Sequence, residues 1–391
     1  MLSPRTPSSR FSVVALTALA VVGLTGCASA PQTDAVTTTD RPAPAIDTAA
    51  EPVDLAPPVP SVSYDIDCAG LVPADVVSTA LGFDGIAAKE PDRDGRSPMY
   101  MTSPWSLTVR HVGGLECSWS NDEPEVGADG VLNPAYESVD VILMPDPGGR
   151  FAEVPYQDAI EVQFGDGSAT GCAGTGACSV DVAAAGSWLR VEIIGLDVGP
   201  GATEADALEQ ATPLIQAIID GIPEPKPSSK PVTGTANCEL AASDEDILLA
   251  LDITGGWKAV GRTGGGPYAL WEASRDYAGT HRCIAGPIPG DQRAIDTKIL
   301  PGGAWVFRPG EMEKGVAMGR EPVTISGTST PDSYLACTVG EEGVCTVDMA
   351  IGADWVSITL WNGDPFALPP TTEQDRADML ALASHIAANL T

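Results

Sequence analysis

The cysteines carry the most informative chemistry in this sequence. Cys27 stands apart from the rest because it follows residues 24–26 (Leu-Thr-Gly) at the end of an apolar run that begins behind Arg5 and Arg10. Bacterial lipoprotein-processing enzymes recognise small residues before a cysteine, attach a diacylglycerol to its thiol and cleave the chain in front of it. The sequence therefore predicts that Cys27 becomes the lipidated first residue of the mature chain.

The apolar run from Phe11 to Leu24 indicates a signal peptide. It is shorter than the roughly 20 residues that a membrane-spanning helix requires, so we expect residues 1–26 to be cleaved. An ordinary secretory peptide cut near Ala28–Ala30, or an uncleaved anchor, is the alternative. Lipidation would hold the mature chain on the extracytoplasmic face of the cell membrane.

The other eight cysteines predict a set of disulfides, because an even number of cysteines in an exported chain is typical of an oxidising compartment. They form two groups of four with nearly the same spacing in each group. The first group is Cys68, Cys117, Cys172 and Cys178, and the second is Cys238, Cys283, Cys337 and Cys345. The sequence following Cys178 also resembles that following Cys345, with Trp188 and Trp355 at the same distance. These repeats predict one module present twice.

Four cysteines allow three pairings in each module, so the spacing alone leaves the pairing open. We favour Cys68–Cys117 and Cys172–Cys178, together with the corresponding pairs Cys238–Cys283 and Cys337–Cys345. The glycines of residues 173–177 and 340–343 can turn the chain back on itself between the closely spaced cysteines.

The patterning around the cysteines predicts an α+β fold, with an antiparallel sheet and helices in each of two tandem copies. Short alternating segments follow Cys178 and Cys345 and predict hairpins. Apolar residues recur at helical spacing in four segments. These segments are residues 73–81, 204–219, 243–251 and 373–389.

The predicted organisation places a lipidated tether before the two modules. A signal peptide (1–26) precedes the lipidated cysteine and a disordered tether rich in Ala, Pro, Thr and Asp (27–63). The first module covers 64–222, a Pro-rich linker covers 223–236, and the second module covers 237–391. The net charge of −32 makes nucleic acid a poor partner, and repulsion from anionic lipid would keep the body away from the membrane surface.

The first module resembles a family of actinobacterial cell-envelope lipoproteins of uncharacterised function. The matching segments are Cys68–Pro73, a helix ending in Ala80–Gly82, and Cys117–Trp119. The second copy departs from this pattern, because no proline follows Cys238 at the matching place and no tryptophan follows Cys283. The resemblance implies a PsbP-like α/β sandwich, in which an antiparallel sheet packs between helices. It implies no catalytic residues.

The sequence contains no motif that specifies a catalytic, metal or cofactor site. The three histidines, His111, His281 and His385, lie far apart in the chain. Residues 167–171 lack the spacing of a nucleophile elbow, and the glycine-rich residues 261–266 lack the Lys of a P-loop. We therefore predict no catalytic residues, no metal ligands and no cofactor.

Aromatic residues give the best indication of a binding site. Trp257, Tyr268 and Trp271 flank the glycine-rich stretch that contains Arg262. An aromatic platform beside such a loop can stack on a sugar or hold an apolar ligand, although tryptophans more often fill a core.

These observations together predict a lipoprotein that binds an unknown ligand or an envelope protein and does not catalyse a reaction. Two alternatives remain open at this point. The protein could be an envelope hydrolase, or a structural partner of a secretion or wall-building complex.

Overall fold

The fold is described from a computed structural model. The described residues are 57–82, 103–104, 106–121, 135–153, 164–227, 238, 251, 259–261, 269–285, 293–308, 311, 320–325, 333–337, 339, 344–362 and 370–390. Residues Asp54–Thr391 form one compact unit. The signal peptide, Cys27 and the tether up to residue 56 lie outside the described residues, as does most of the helix predicted over 243–251.

The first half of this unit, residues 57–227, contains a sheet of five antiparallel strands in the order β1-β2-β5-β4-β3. The strands are β1 (Leu115–Ser120), β2 (Ser138–Pro145), β3 (Gly167–Ala173), β4 (Ala177–Ala184) and β5 (Ser187–Ile194). The β4–β5 hairpin turns at Ala185 and Gly186, whose φ angles of 50° and 72° fit the twist of a two-residue hairpin. This is one of the two hairpins that the sequence predicts.

The second half, residues 238–390, contains a sheet of seven antiparallel strands in the order β6-β7-β8-β12-β11-β10-β9. The strands are β6 (Ala259–Gly261), β7 (His281–Ala285), β8 (Arg293–Leu300), β9 (Glu321–Pro322), β10 (Ser333–Ala336), β11 (Cys345–Ile351) and β12 (Asp354–Asn362). Five neighbouring strands of this sheet, β7-β8-β12-β11-β10, have the same topology as β1-β2-β5-β4-β3 of the first half. In each set the first two strands along the chain are neighbours, and the fifth strand lies between the second and the fourth.

Helices pack against the two sheets. The described helices are α1 (Cys68–Leu71), α2 (Ala74–Leu81), α3 (Thr108–His111), α4 (Glu204–Asp220), α5 (Ala269–Ala278) and α6 (Glu373–Leu390), with 3₁₀ turns η1 (Arg150–Glu153) and η2 (Gly303–Phe307). The predictions of α2, α4 and α6 are confirmed. No described helix is long and apolar enough to cross a bilayer.

The two long helices begin with the same local device. Thr203 caps α4 through a reciprocal pair of hydrogen bonds with Asp206, and Thr372 and Asp375 form the same pair before α6. Each helix then places its apolar side chains on the inner face of one sheet. The core of each half is therefore closed by its own C-terminal helix.

Four disulfides join the cysteines in the pairing that we favoured among those that the sequence leaves open. They are Cys68–Cys117, Cys172–Cys178, Cys238–Cys283 and Cys337–Cys345. Each bond stays within one half. In both halves the long-range bond ties a strand, β1 or β7, to a cysteine that lies earlier in the same half.

Candidate functional site

Only one of the four residues of the ligand site predicted from the sequence lies among the described residues. Trp257, Arg262 and Tyr268 lie outside them. Trp271 lies in α5, half-buried, and packs against an apolar cluster that contains residues of both halves. We call this cluster and the polar contacts around it the seam.

The apolar part of the seam joins the outer faces of the two sheets. Met144 and Trp188 contribute from β2 and β5, and Leu300 and Trp355 contribute from β8 and β12. These side chains alternate with those that fill the two separate cores, so each sheet is buried on both faces at this place. Leu107, Val109, Leu270 and the last four residues of η2 also belong to the cluster.

Polar side chains cross the seam at several places. The hydroxyl of Thr108 lies 2.7 Å from that of Ser274, and both residues are fully buried. Arg110 forms a 2.7 Å ion pair with Glu311. Its guanidinium also lies 4.9 Å from the ring centroid of Trp305, within cation–π range.

A third crossing involves Tyr277 of α5 and the loop after β2. The Tyr277 hydroxyl donates to a carboxylate oxygen of Asp146 at 2.5 Å and accepts from the backbone N–H of Gly148 at 3.1 Å. Burial, followed by the hydrogen bond to Asp146, raises the pKa of Tyr277 to about 12. The phenol therefore stays protonated and holds the loop against α5.

His111 is a deeply buried titratable side chain in the seam. It is 6% exposed, and its Nδ1 accepts a 3.1 Å hydrogen bond from the indole N–H of Trp305. Nε2 makes no aligned hydrogen bond within the described part of the chain, although the carbonyl of Pro301 partly favours its protonation. Burial dominates and lowers the pKa of His111 to about 4, so the imidazole is neutral near pH 7.

This buried imidazole predicts that acid weakens the protein. An unfolded histidine has a pKa near 6.5, so between that pH and about 4 the unfolded chain binds a proton that the folded one refuses. The stabilisation is complete above pH 6.5 and is lost as the pH falls, by about 3 kcal/mol at pH 4. Denaturant unfolding of wild type and His111→Gln between pH 4 and 7 measures this contribution.

The control for this prediction is His281→Gln, because His281 is exposed. The wild type and the His281 variant should lose stability with acid in parallel, since both keep His111. The His111 variant should lose about 3 kcal/mol less over the same range. An unchanged pH slope in the His111 variant would show that the imidazole is not held neutral.

Each sheet also buries an aspartate that accepts from a tryptophan. The Trp188 indole donates to Asp181 at 2.9 Å, and the Trp355 indole donates to Asp348 at 2.8 Å. Burial raises the pKa of Asp181, while Arg190 and the Trp188 indole lower it. Each of these carboxylates also contacts a guanidinium, so both clusters fit a structural role.

A basic cluster lies on the outer face of β7 and β8. Arg282 makes two hydrogen bonds with Asp296, at 2.9 and 2.8 Å, and the Lys298 ammonium lies 3.6 Å from the same carboxylate. Burial lowers the pKa of Lys298, with Asp296 opposing and Arg282 and Arg275 adding to the effect. Arg275 is on α5, one turn from Trp271, so this cluster adjoins the helix of the predicted ligand site.

The described residues contain no group of three or more acidic, histidine or cysteine side chains placed to hold a metal ion. His111 Nδ1 accepts from the indole N–H of Trp305, whereas a catalytic histidine uses this kind of position to bind the carboxylate that orients it. The arrangement at the seam orders and buries side chains, and its exposed border includes part of the predicted aromatic platform. Sequence reasoning missed His111 because its partners lie far away in the chain.

No protein-family model matches this chain, and neither does any curated protein or solved structure.

Proposed function

We propose that this protein is a lipoprotein, anchored through Cys27 on the extracytoplasmic face of the cell membrane, that binds a ligand or an envelope protein. One observation carries the proposal: all eight cysteines after Cys27 are used in four disulfides. Cys27 therefore has no cysteine partner in its own chain, and its thiol is available for acylation. A chain with four disulfides also suits an oxidising compartment outside the cytoplasm.

We also propose that the two halves are tandem copies of one module, related to the actinobacterial lipoproteins that the first half resembles, with a PsbP-like fold. Three correspondences support this. Five neighbouring strands have the same topology, the disulfides join equivalent elements, and each sheet has a buried aspartate bonded to a tryptophan of the next strand.

Binding is proposed at α5 and the segment that precedes it, with Trp257, Arg262, Tyr268 and Trp271 as contacts. The half-buried position of Trp271 at the border of the seam supports this, because its side chain packs against the cluster while part of it stays exposed. A residue packed in this way would present a rigid surface to a ligand. Native mass spectrometry of the gently extracted protein would reveal a retained ligand or partner directly.

The anchor predicts a clear result for Cys27→Ala. In a host that processes bacterial lipoproteins, the wild type should enter the detergent phase on phase separation, because an acylated N-terminus partitions into detergent. The variant should move to the aqueous phase or retain its signal peptide. Cys172→Ala/Cys178→Ala is the matched control, since it removes a disulfide without touching the anchor. Full detergent partitioning of a processed Cys27→Ala protein would contradict the proposal.

A further inference from the structure

The two buried aspartates obtain their positive partners in different ways. In the first sheet, Arg190 of β5 lies directly opposite Asp181 of β4 and donates to it at 2.9 Å. Its side chain is 8% exposed. Both charges therefore belong to adjacent strands, and the ion pair is built into the sheet itself.

In the second sheet the equivalent strand position holds no charge. Ser357 of β12 lies directly opposite Asp348 of β11. The guanidinium comes instead from Arg320, which forms an ion pair with Asp348 that is not aligned as a hydrogen bond. The two side chains are 5% and 0% exposed, so a charge is neutralised here inside the protein by a residue from outside the two strands.

The segment that carries Arg320 passes around one edge of the sheet. Asp348 lies between the core residues Val347 and Met349 and therefore points to the outer face. Glu321 and Pro322 then pair with β10 at the edge, and the Val323 N–H donates to Ser333 at 2.9 Å. The segment then reaches the inner face of the sheet at residue 325.

The inner end of this segment is anchored by different contacts. Ile325 is 3% exposed and belongs to the core of the second half. Glu321 forms an ion pair with Arg376 of α6, the helix that covers the inner face. Residues 320–325 thus contact both faces of the sheet and its edge. On the outer face the contact is the Arg320–Asp348 ion pair.

We propose that residues 320–325 form a strap, latched by Arg320 on Asp348, and that this buried ion pair keeps the edge of β10 covered. Backbone groups on an uncovered strand edge can pair with another chain, and proteins protect such edges with short strands or covering segments. Asp348 is buried, so leaving it without a cation is costly, and this cost couples the strap to the stability of the sheet. In the first half the corresponding ion pair of Arg190 with Asp181 joins two adjacent strands of the sheet.

The difference between the halves supplies the experiment. Arg320→Met removes the latch. A reconstructed variant, Arg320→Met/Ser357→Arg/Lys298→Ile, gives the second sheet the residues of the first at two positions. In the first sheet Arg190 lies opposite Ile142 of β2. In the second sheet the corresponding pair is Ser357 opposite Lys298 of β8. The reconstructed variant returns a cation to Asp348 without reconnecting the strap. Lys298→Ile/Ser357→Arg with Arg320 intact is the background control.

Hydrogen exchange and thermal unfolding of the full chain separate the two roles. Arg320→Met should lower the melting temperature and raise exchange in residues 320–325 and 333–337 by about tenfold or more. The reconstructed variant should recover most of the melting temperature but keep the fast exchange. The background control should exchange as the wild type does.

Two results would overturn the proposal. One is wild-type exchange of residues 320–325 in the reconstructed variant, which would show that Arg320 does not hold the strap. The other is wild-type exchange in Arg320→Met itself. If Arg320→Met fails to fold, the reconstructed variant compared with its background control still decides between fast and wild-type exchange.

Discussion

Trp355→Ala should lower the free energy of unfolding by about 3–5 kcal/mol, the range for removing a large buried aromatic ring. Trp355 is 0% exposed and packs edge-on against Phe307, with 6.3 Å between ring centroids. Its indole N–H also donates to Asp348 at 2.8 Å. The substitution therefore leaves a cavity in the seam and takes a donor from a buried carboxylate.

Trp188→Ala should have a similar effect, because Trp188 is also 0% exposed and packs edge-on against Phe151 at 5.3 Å. Trp361→Ala is the matched control, since Trp361 lies in the same strand as Trp355 but is only half-buried. Denaturant unfolding of the three variants makes the comparison. A loss in Trp355→Ala no larger than that in Trp361→Ala would refute the burial argument.

The disulfides should differ in their contribution to stability according to the length of chain that they close. Cys68–Cys117 closes a separation of 49 residues, whereas Cys172–Cys178 closes only 6. The entropy of the unfolded chain assigns about 4 kcal/mol to the first bond and about 2 kcal/mol to the second. Unfolding of Cys68→Ala/Cys117→Ala and Cys172→Ala/Cys178→Ala measures the difference.

The second half offers an independent repetition of this comparison, with separations of 45 for Cys238–Cys283 and 8 for Cys337–Cys345. The longer loop should again carry the larger effect. If the short-loop variants lose more stability in both halves, the disulfides act mainly through native contacts and the unfolded-chain argument fails.

Features that depend on neighbouring residues could be predicted from the sequence. The helices α4 and α6 follow from apolar residues at helical spacing, and both hairpins follow from alternation around turns rich in Ala and Gly. The pairing of Cys172 with Cys178 follows from a loop that can turn. In each case the cause lies within about 20 residues of chain.

The contacts of the seam could not be predicted in this way. His111 and Trp305 are 194 residues apart, and Thr108 and Ser274 are 166 apart. Nothing in the local pattern around either residue names its partner, because the contact depends on how the two halves pack. The Arg320–Asp348 ion pair could not be predicted for the same reason. A comparison of the halves does offer one signal, because the position that matches Arg190 holds the uncharged Ser357 and so leaves Asp348 without a cation from the adjacent strand.

For the tryptophans, the sequence predicts burial better than it predicts ligand binding. Trp188 and Trp355 follow the general tendency of tryptophans to fill a core, because both are fully buried beside an aspartate. Trp305 is also buried, against His111. Trp271 is half-buried, and Trp257 lies outside the described residues, so binding at the aromatic platform stays a prediction.

The most direct test of the central claim is the mass of the N-terminal peptide, together with non-reducing peptide mapping, of protein extracted from membranes. The account predicts a chain that begins at Cys27 and carries the mass of a diacylglycerol, with the other eight cysteines joined in four disulfides inside the two halves. An unmodified N-terminus near Ala28–Ala30, or a disulfide that joins residues 64–222 to residues 237–391, would contradict it.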